Sequence, residues 1–283
     1  MAASSYTAVR GSLGVMSRAG SASTDRAESV KRMFSEIAPT YDLLNTVLSL
    51  GIDARWRAQA AGAALDTRAA AGPGAFAVLD VATGTGKLAL TIKRLCRACR
   101  VVGVDFAETM LEVARRAVER SKLDVELEVA DGTALPYEDA SFDAVTIAYG
   151  LRNFADPAAG LREFTRVLKP GGRLVVLEFP PPGPGLMGRA FSLYFTRVLP
   201  RLGGLVSGRR SAYAYLPASV ISFMTPDELA AQMTAAGLEG VSYRLQTFGI
   251  SAMHVAHAPR TEPAALTGGA PLTAAAQAAG GVR

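Results

Sequence analysis

The sequence predicts an α/β fold in which a mostly parallel sheet carries helices on both faces. Between about residues 76 and 258, short buried apolar runs alternate with longer amphipathic stretches, as is typical of strands joined by crossover helices. The chain has 283 residues, of which 49% are hydrophobic and 19% charged, so it is long enough for one domain with a large core. Its apolar runs fall short of the roughly 20 residues that a membrane-spanning helix needs. We therefore expect a globular, enzyme-sized protein with no spanning segment.

Seven strands are predicted along this pattern. Five follow one another with helices between them, at residues 76–82, 100–105, 125–130, 141–149 and 173–179. The helices are expected over about 87–97, over 109–121 and in the segment that ends at the tight turn LKPGG, 168–172. A further helix begins at Thr225-Pro226, with Asp227 and Glu228 in its first turn, and leads into closing strands at 240–248 and 251–258. An open sheet of this kind binds its ligands at the carboxyl ends of its central strands.

A lid, an insertion and two tails surround this pattern. Residues 28–70 contain helical stretches that we expect to cover the carboxyl edge of the sheet as a lid, and residues 180–220 form an insertion within the domain 28–258. Residues 1–27 and 259–283, which are rich in small residues, are predicted to be disordered tails. The first 24 residues contain arginine but no acid, so an organelle transit peptide is the alternative for the N-terminal tail.

The only two cysteines, Cys96 and Cys99, form a lone CxxC within a charged, helix-like segment. A zinc site would need a second pair of ligands, so we expect no metal. We interpret the pair as reduced helix residues, with a redox or metal function as the alternative, and infer a reducing compartment. A cytoplasmic location is therefore expected, with an organelle matrix as the alternative if the N-terminal tail is a targeting peptide.

The stretch LDVATGTGKLAL, residues 79–90, joins the first strand to the next helix and can be compared with three nucleotide-binding turns. A phosphate-binding P-loop is excluded, because the stretch lacks both the first glycine and the hydroxyl residue that this motif needs. A dinucleotide turn remains open, since Gly84, Gly86 and Ala89 satisfy GxGxxG/A and Asp105 ends the next strand.

Asp80 favours the third comparison, a turn that binds S-adenosylmethionine. This ligand also presents a ribose to an acid such as Asp105, but it carries cationic groups where a dinucleotide carries an anionic pyrophosphate. A carboxylate at the mouth of the turn then helps binding, and Asp80 at the end of the first strand supplies it. A turn cap is the alternative role for Asp80. After the third strand, Asp131 and Gly132 can meet the adenine edge.

Long stretches of the chain resemble one enzyme family. The matching segments are 34–57, 79–90, 131–156, 166–179 and 211–220, and YDLLN with a following LSLG and the GLRN after the fourth strand are specific to the family. They resemble the ubiquinone/menaquinone biosynthesis C-methyltransferases of the UbiE/MenG type. The resemblance implies a Rossmann-like class I methyltransferase fold, S-adenosylmethionine as donor, and methylation of a ring carbon of a prenylated quinol. Demethylmenaquinol is the expected substrate, and the benzoquinol of ubiquinone biosynthesis is the alternative.

The resemblance also implies cofactor contacts at Thr85, Asp105 and the Asp131–Gly132 pair. The predicted cofactor-binding residues are, in full, Asp80, Gly84, Thr85, Gly86, Asp105, Asp131 and Gly132. Two positions depart from the family pattern. Ala148 stands where many relatives carry a hydroxyl residue, and Lys87 stands where many carry Asp, which alters the charge near the sulfonium pocket.

The predicted chemistry requires a ring carbon held in line with the donor and made nucleophilic by loss of a hydroquinone proton. The two histidines, His254 and His257, lie in the last predicted strand, far in sequence from every motif, so we do not expect either to be the base. We predict that Arg152 and Asn153, after the fourth strand, and Tyr41, in the lid, carry the chemistry. A salt bridge to the lid is the alternative for Arg152, and plain packing is the alternative for Tyr41.

The insertion is predicted to meet a membrane. From Pro180 to Pro226 the sequence has no Asp or Glu but carries five arginines interleaved with aromatic and aliphatic residues. We expect the insertion, 180–220, to rest on an anionic membrane surface and admit the prenyl tail, with a solvated lid helix as the alternative. The formal net charge of +5 is modest, so no nucleic-acid partner is expected, while a homodimer stays open. The alternatives to a methyltransferase are an NAD-dependent oxidoreductase and a non-enzymatic quinone-binding protein.

Overall fold

The structure is a computed structural model that describes residues 51–67, 76–183, 185, 193 and 217–260. Most of the predicted lid, most of the insertion and nearly all of both tails lie outside these residues. Tyr41 is among the residues outside, so its predicted role stays a prediction.

A seven-stranded sheet forms the centre of the described domain, with the strand order β3-β2-β1-β4-β5-β7-β6. The strands are β1 (Ala77–Val81), β2 (Arg100–Asp105), β3 (Glu126–Val129), β4 (Phe142–Ala148), β5 (Leu168–Glu178), β6 (Glu239–Gln246) and β7 (Ser251–His257). The pairings among β1 to β5 are all parallel, whereas β7 runs antiparallel to both of its neighbours, β5 and β6. The mostly parallel, seven-stranded sheet predicted from the sequence is confirmed.

Helices cover both faces of this sheet, also as predicted. They are α1 (Asp53–Leu65), α2 (Lys87–Leu95), α3 (Glu108–Ser121), α4 (Pro157–Val167) and α5 (Pro226–Ala235). One core cluster joins α1 and α2 to the sheet through side chains such as Trp56 and Ile92, and a second joins α4 and α5 to the opposite face through Phe164 and Met233. Because both faces are covered, central strands such as β1 are buried along their whole length and are apolar apart from Asp80.

Capping residues explain where two of the helices begin. The Asp156 side chain accepts a hydrogen bond from the Ala159 amide at 3.0 Å, and Pro157 occupies the first turn of α4. At the start of α5, Thr225 and Glu228 form a capping box, in which each side chain accepts a hydrogen bond from the other's backbone amide. The predicted start of α5 is therefore confirmed.

The helix α1 corrects one expectation about the lid. Residues 54–65 were expected to lie over the carboxyl edge of the sheet, but α1 packs on a sheet face beside α2, with Trp56, Ala60 and Ala64 fully buried. These residues recur at every fourth position and so form one apolar stripe, which a lid exposed to solvent would leave uncovered. Only the first turns of α1 approach the ligand-binding edge.

The cysteine expectation is wrong. Helix α2 ends at Leu95, before the predicted end at Arg97, and Cys96 adopts a non-helical conformation that turns the chain toward β2. Cys96 and Cys99 are joined by a disulfide, with their Cα atoms 5.4 Å apart, and both are buried. The two cysteines therefore do not support the inference of a reducing compartment.

The LKPGG segment is part of a strand, where a separate tight turn was expected. Strand β5 begins at Leu168, which pairs with Phe142, and regular pairing resumes at Arg173 opposite Ala144. The extra residues between these pairs form an irregularity in which Gly171 has a φ of 74°. The predicted glycine turn is therefore a bulge within the strand rather than a connection before it.

The parallel strands bring several chain turns to one edge of the sheet. β1 lies between β2 and β4. The connection after β1 therefore leads toward β2, and the connection after β4 leads in the opposite direction, toward β5. A crevice between such connections is where open α/β sheets bind ligands. The loops after Val81 and Ala148 are therefore the place to look for a site.

Candidate active site

A cleft opens where the carboxyl ends of β1 and β4 meet. It consists of two adjoining pockets that share Ala82, Gly84, Ala148 and Tyr149. The first pocket is further lined by Arg57, Asp80, Thr83, Thr85, Lys87 and Leu88. The second is further lined by Asp105, Phe106, Met110, Gly150, Asn153 and Phe154. The first pocket is thus polar and charged, whereas the second combines an acid and an amide with aromatic and apolar walls.

A wider groove elsewhere in the molecule is not part of this site. It lies at the opposite edge of the sheet, near the amino ends of β4 and β5, between Asp139, Arg162 and Pro259. It contains none of the residues that the sequence predicted to bind a cofactor or to act in catalysis.

The turn after β1 has a shape that glycine makes possible. Gly84 and Gly86 have φ values of 58° and 78°, in the left-handed region that side chains disfavour. A Cβ atom on Gly86 would also lie 3.3 Å from the Cβ atom of Ala114, so the turn is packed tightly against α3. Helix α2 begins at the next residue, Lys87. The backbone of the turn can therefore approach a ligand closely at the amino end of α2.

Asp80 lies buried behind this turn and is held by two hydroxyl groups. Its Oδ1 accepts a hydrogen bond from Thr146 at 2.7 Å, and its Oδ2 accepts one from Thr83 at 2.6 Å. Burial raises the pKa of Asp80 from 3.8 to about 6, although these two hydrogen bonds act in the opposite direction. Since the ionised carboxylate is desolvated, a cationic ligand group in the adjoining pocket would stabilise it.

Asp105, at the end of β2, ties the two neighbouring turns together. Its Oδ2 accepts a hydrogen bond from the Gly84 amide at 2.8 Å, and its Oδ1 accepts one from the Ala107 amide at 2.9 Å. Burial raises the pKa of this carboxyl group as well. Each carboxylate oxygen has a second lone pair, so Asp105 can still accept hydrogen bonds from ribose hydroxyls in the pocket that it lines.

The Asp131–Gly132 pair follows β3, and its two residues have different surroundings. Asp131 is exposed, and its Oδ1 accepts hydrogen bonds from both the amide and the hydroxyl of Thr133. Gly132 is buried, and a Cβ atom there would lie 2.5 Å from the ring of Phe154, which lines the cleft. Gly132 thus allows Phe154 to reach its place, while the contact of Asp131 with adenine remains a prediction.

Tyr149 separates the two pockets and is held in an uncommon conformation. Its φ is 59°, and its amide donates a hydrogen bond to the Leu177 carbonyl at 2.7 Å. The ring stacks on Phe179, with 4.4 Å between ring centroids and an interplanar angle of 20°. Burial raises the pKa of the phenol, so it stays protonated at neutral pH. A non-glycine residue in the left-handed region is a strained feature of the kind that functional sites carry.

Arg152 is buried beside the cleft and forms an ion pair that the sequence did not reveal. Its Nη1 donates to Glu178 Oε2 at 2.9 Å and also to the Tyr149 carbonyl. The amide side chain of Asn153, which lines the cleft, donates to the same carbonyl at 3.4 Å. The Glu178 partner of Arg152 belongs to β5, whereas the expected alternative, a salt bridge to the lid, concerns residues that lie mostly outside the described ones. The predicted catalytic roles of Arg152 and Asn153 remain predictions.

Several residues of the site were missed in the sequence. Arg57 lines the first pocket and pairs with Asp53 at 2.7 Å, and both lie within the 34–57 segment that resembles the family. Thr146 is a polar residue inside the buried strand β4, which is a signal that it has a polar partner. Glu178, likewise, is a charged residue in a buried apolar strand.

The histidines lie away from the cleft, on the antiparallel strand β7. His254 Nε2 is 2.9 Å from the Pro226 carbonyl, and burial lowers the pKa of this histidine. His257 Nδ1 is 3.4 Å from the Gly171 carbonyl. Among the described residues, no group of three or more His, Cys, Asp or Glu side chains could hold a metal ion. The helices in these same segments include none that is long and apolar enough to cross a membrane.

The cleft has the groups that S-adenosylmethionine needs. Asp105 lines the second pocket and has lone pairs that a ribose could use, the glycine turn lets a ligand approach the backbone, and a cation would stabilise the buried Asp80 carboxylate. A dinucleotide would place its pyrophosphate near this carboxylate, where like charges repel. The fold and these groups together define a class I S-adenosylmethionine-dependent methyltransferase.

The chain belongs to the ubiE/COQ5 methyltransferase family, whose model matches residues 22–258. It is 54% identical to the demethylmenaquinone methyltransferase of Thermus thermophilus over 227 residues, which cover 80% of this chain and 100% of the relative. It is 53% identical to the demethylmenaquinone methyltransferase of Deinococcus radiodurans, over 82% of this chain and 93% of the relative. A ubiquinone/menaquinone biosynthesis C-methyltransferase of Geobacter sulfurreducens is 45% identical over 82% of this chain and 89% of its own length. The resemblance described above is thereby confirmed.

Solved structures agree on the fold. A methyltransferase from Thermotoga maritima matches with a TM-score of 0.55 and 19% identity, over 81% of this chain and 99% of its own. The [4+2]-cyclase SpnF matches with a TM-score of 0.53 and 20% identity, over 81% of this chain and 95% of its own. At such identities the likeness concerns the fold alone, and a cyclase on the same fold shows that function has to be argued from the site.

Proposed function

We propose that the protein transfers a methyl group from S-adenosylmethionine to a ring carbon of a demethylated prenyl-quinol, with demethylmenaquinol as the substrate. The observation that carries the proposal is the pair of buried carboxylates, Asp80 and Asp105, at the glycine turn of a member of this family. The relatives from Thermus thermophilus and Deinococcus radiodurans, at 54% and 53% identity, are both named demethylmenaquinone methyltransferases, which supports the naphthoquinol ring over the benzoquinol ring.

The cofactor would be held by the residues of both pockets. Asp105 would accept hydrogen bonds from the ribose hydroxyls, and Asp80 would face the cationic amino-acid end across the turn that contains Gly84, Thr85 and Gly86. S-adenosylmethionine, when bound, supplies a methyl group on a positively charged sulfur. Lys87 and Arg57 line the same pocket, so a carboxylate on the ligand also has cationic partners there.

The residues after β4 would act on the quinol. Loss of a hydroquinone proton places negative charge on the ring oxygen, and a nearby cation stabilises that charge. We assign this role to Arg152, which stays protonated and therefore cannot itself be an ordinary base, so a water molecule that it orients would take the proton. Asn153 and Tyr41 would orient the ring, and the stacked rings of Tyr149 and Phe179 would form an apolar wall that excludes water.

The membrane contact and the oligomeric state are proposed on the sequence alone. The insertion, 180–220, would rest on an anionic membrane surface at the inner face of the membrane, from the cytoplasmic side. Liposome sedimentation tests this contact, and binding that ignored lipid charge and salt would contradict it. A homodimer is the proposed alternative to a monomer, and light scattering distinguishes the two.

Quinone profiling tests the proposed reaction most directly. The gene would be expressed in a host that lacks its own quinone C-methyltransferase, and the quinones would be identified by mass spectrometry. We expect demethylmenaquinone to be converted to menaquinone, and an Asp105→Ala variant to convert less of it because it binds S-adenosylmethionine more weakly. Restoration of ubiquinone alone would identify the benzoquinol as the substrate, and restoration of neither would contradict the proposal.

A further inference from the structure

The hairpin between β6 and β7 ends in a strained and exposed tip, residues 247–249. Thr247, Phe248 and Gly249 have φ values of 46°, 57° and 86°, so three consecutive residues are in the left-handed region. A β-branched residue such as Thr247 is a clear outlier there, and Phe248 leaves 85% of its surface exposed. The tip therefore combines two unfavourable features, backbone strain and an exposed phenyl ring, that point to a function.

Register places this tip at the same edge of the sheet as the cleft. Ala252 of β7 pairs with Glu178, the last residue of β5, and the tip lies beyond this pair. The tip is also fixed to α1, because Trp56 Nε1 donates to Thr247 Oγ1 at 2.9 Å and Gln246 Nε2 donates to Gln59 Oε1 at 2.7 Å. Phe248 is thus presented from a firmly held base rather than from a loose loop.

The part of the hairpin nearest the tip has no acidic side chain of its own. Residues 240–259 contain no Asp or Glu, and Arg244 is the one Lys or Arg among them. Leu245 is 52% exposed, and its Cδ1 atom lies 4.0 Å from the position of a Cβ atom on Gly249, so it widens the apolar surface beside Phe248. An exposed aromatic ring with an aliphatic neighbour is suited to the boundary between headgroups and acyl chains, and a segment with one arginine and no acid is attracted by an anionic surface rather than repelled.

We propose that the hairpin tip inserts Phe248 into an anionic lipid bilayer and so holds the mouth of the cleft against the membrane. The inference rests on the proposed function, because a prenylated quinol resides in the bilayer and must enter from that side. The contact is separate from the one proposed for the insertion, since it is made by β6, β7 and their turn. Burial of a phenyl ring gives about ten-fold tighter membrane partitioning.

Vesicle sedimentation of the full chain tests the proposal. The vesicles would contain phosphatidylcholine with or without phosphatidylglycerol, and the variants would be Phe248→Ala and Leu95→Ala. Leu95 is the matched control, because it is 56% exposed and ends α2 at the opposite edge of the sheet. We expect Phe248→Ala to bind anionic vesicles about ten-fold more weakly and Leu95→Ala to bind like the unchanged protein. Equal binding by all three proteins would overturn the proposal.

A tryptophan at the tip distinguishes the bilayer from other occupants. The only native tryptophan, Trp56, is buried, so the emission added by Phe248→Trp reports on the tip. We expect this emission to be quenched by lipids with brominated acyl chains. Emission that is already blue-shifted without vesicles and insensitive to bromine would mean that another segment of the chain covers the tip. If Phe248→Ala dissociated a dimer without changing vesicle binding, a second copy of the chain would cover the tip. Either result would reject the bilayer as the occupant of the tip.

The test also separates this inference from the proposed function. With a short-chain, water-soluble quinol we expect Phe248→Ala to turn over at the rate of the unchanged protein, and with a long-chain quinol in vesicles we expect a lower rate. A protein that methylates no quinol at all but partitions through Phe248 would refute the proposed reaction and leave the membrane contact standing. Methylation in vesicles that is unaffected by Phe248→Ala would refute the membrane contact alone.

Discussion

Arg152 and Glu178 form an ion pair at 2.9 Å that joins the turn after β4 to the end of β5, although the residues are 26 positions apart. Both side chains are almost completely buried, at 4% and 2% exposure. Glu178 also accepts hydrogen bonds from the amides of Arg152 and Phe179. The pair thus fixes the guanidinium next to the aromatic wall of the cleft, and loss of either partner leaves a buried charge.

Arg152→Ala is expected to affect both activity and stability. It should lower turnover by about 100-fold or more, as loss of one oxyanion donor does, while the affinity for S-adenosylmethionine changes little. It should also lower the free energy of unfolding by about 3–5 kcal/mol, because Glu178 is left unpaired. Arg152→Lys should restore only part of the turnover, since an ammonium does not reproduce the planar guanidinium. Single-turnover kinetics measures the rate of methyl transfer, calorimetric titration measures the affinity for S-adenosylmethionine, and urea unfolding measures the free energy of unfolding.

Glu178→Gln is the matched control for this experiment, because it disrupts the same ion pair and leaves the guanidinium in place. We expect it to be destabilised but to retain much more turnover than Arg152→Ala when both are folded. Equal losses of turnover in the two folded variants would show that Arg152 has only a structural role.

Asp105→Ala should bind S-adenosylmethionine about 10- to 100-fold more weakly. Hydrogen bonds to a charged group contribute roughly 1.5–3 kcal/mol, and this variant removes both ribose acceptors. Titration calorimetry measures the affinity, and Thr85→Ala is the control, with a smaller expected loss because the turn backbone remains. Unchanged affinity in Asp105→Ala would refute the assignment.

The affinity for S-adenosylmethionine should rise between about pH 5 and pH 7, because the pKa of Asp80 is about 6 and only the ionised carboxylate attracts a cation. Asp105 lines the same cleft and also has a raised pKa, and Arg57 and Lys87 add basic side chains to the pocket that Asp80 lines. Asp80→Asn should therefore bind more weakly at pH 7 and show a flatter pH profile. An identical profile in this variant would exclude Asp80 as the titrating group.

The stability of the ligand-free protein should follow the opposite trend. The folded-state pKa of Asp80 lies above its ordinary value of 3.8, so the folded protein binds this proton more tightly than the unfolded chain does. The bound proton on Asp80 therefore stabilises the folded protein in acid, and the free energy of unfolding falls as this stabilisation is lost between about pH 4 and pH 6. Urea unfolding at a series of pH values measures it, and Asp80→Asn should lack this part of the pH dependence.

Two glycine substitutions should change stability in opposite directions. Gly132→Ala places a Cβ atom 2.5 Å from the Phe154 ring, and such overpacking costs about 1–3 kcal/mol. Gly62→Ala, inside α1, meets nothing within 4 Å, so it should stabilise by about 0.5–1 kcal/mol through helix propensity. Thermal unfolding of both variants measures these changes in stability. A Gly132→Ala variant as stable as the unchanged protein would contradict the tight packing behind the cleft.

The sheet was predictable because its strands are short apolar runs bounded by clear turn signals. RVVGVD was predicted at 100–105 and is β2 without any change of bounds, and the Thr225 cap was predicted because its local chemistry is self-contained. LKPGG was misread because a bulge and a tight turn use the same glycine residues. The face on which α1 packs was missed because a helix stripe shows that a helix is buried but not which surface covers it.

The cleft was only partly predictable, since the sequence identifies motifs but not the partners that meet them. Asp80 was found because a carboxylate at the mouth of the turn suits a cationic ligand, but the two threonine hydroxyls that hold it come from different elements. The partner of Arg152 was missed because Glu178 lies on another strand and its pairing depends on register. Only the strand order brings these residues together.

The hydrogen bond between Trp56 and Thr247 has a consequence for the order of folding. The two residues are 191 positions apart, so this contact closes a loop that contains most of the sheet. Closing so long a loop is entropically costly until the strands between its ends have formed, so we expect α1 and the last hairpin to dock late on the folding pathway. Because Trp56 is the single tryptophan, its fluorescence during refolding should report this docking step directly.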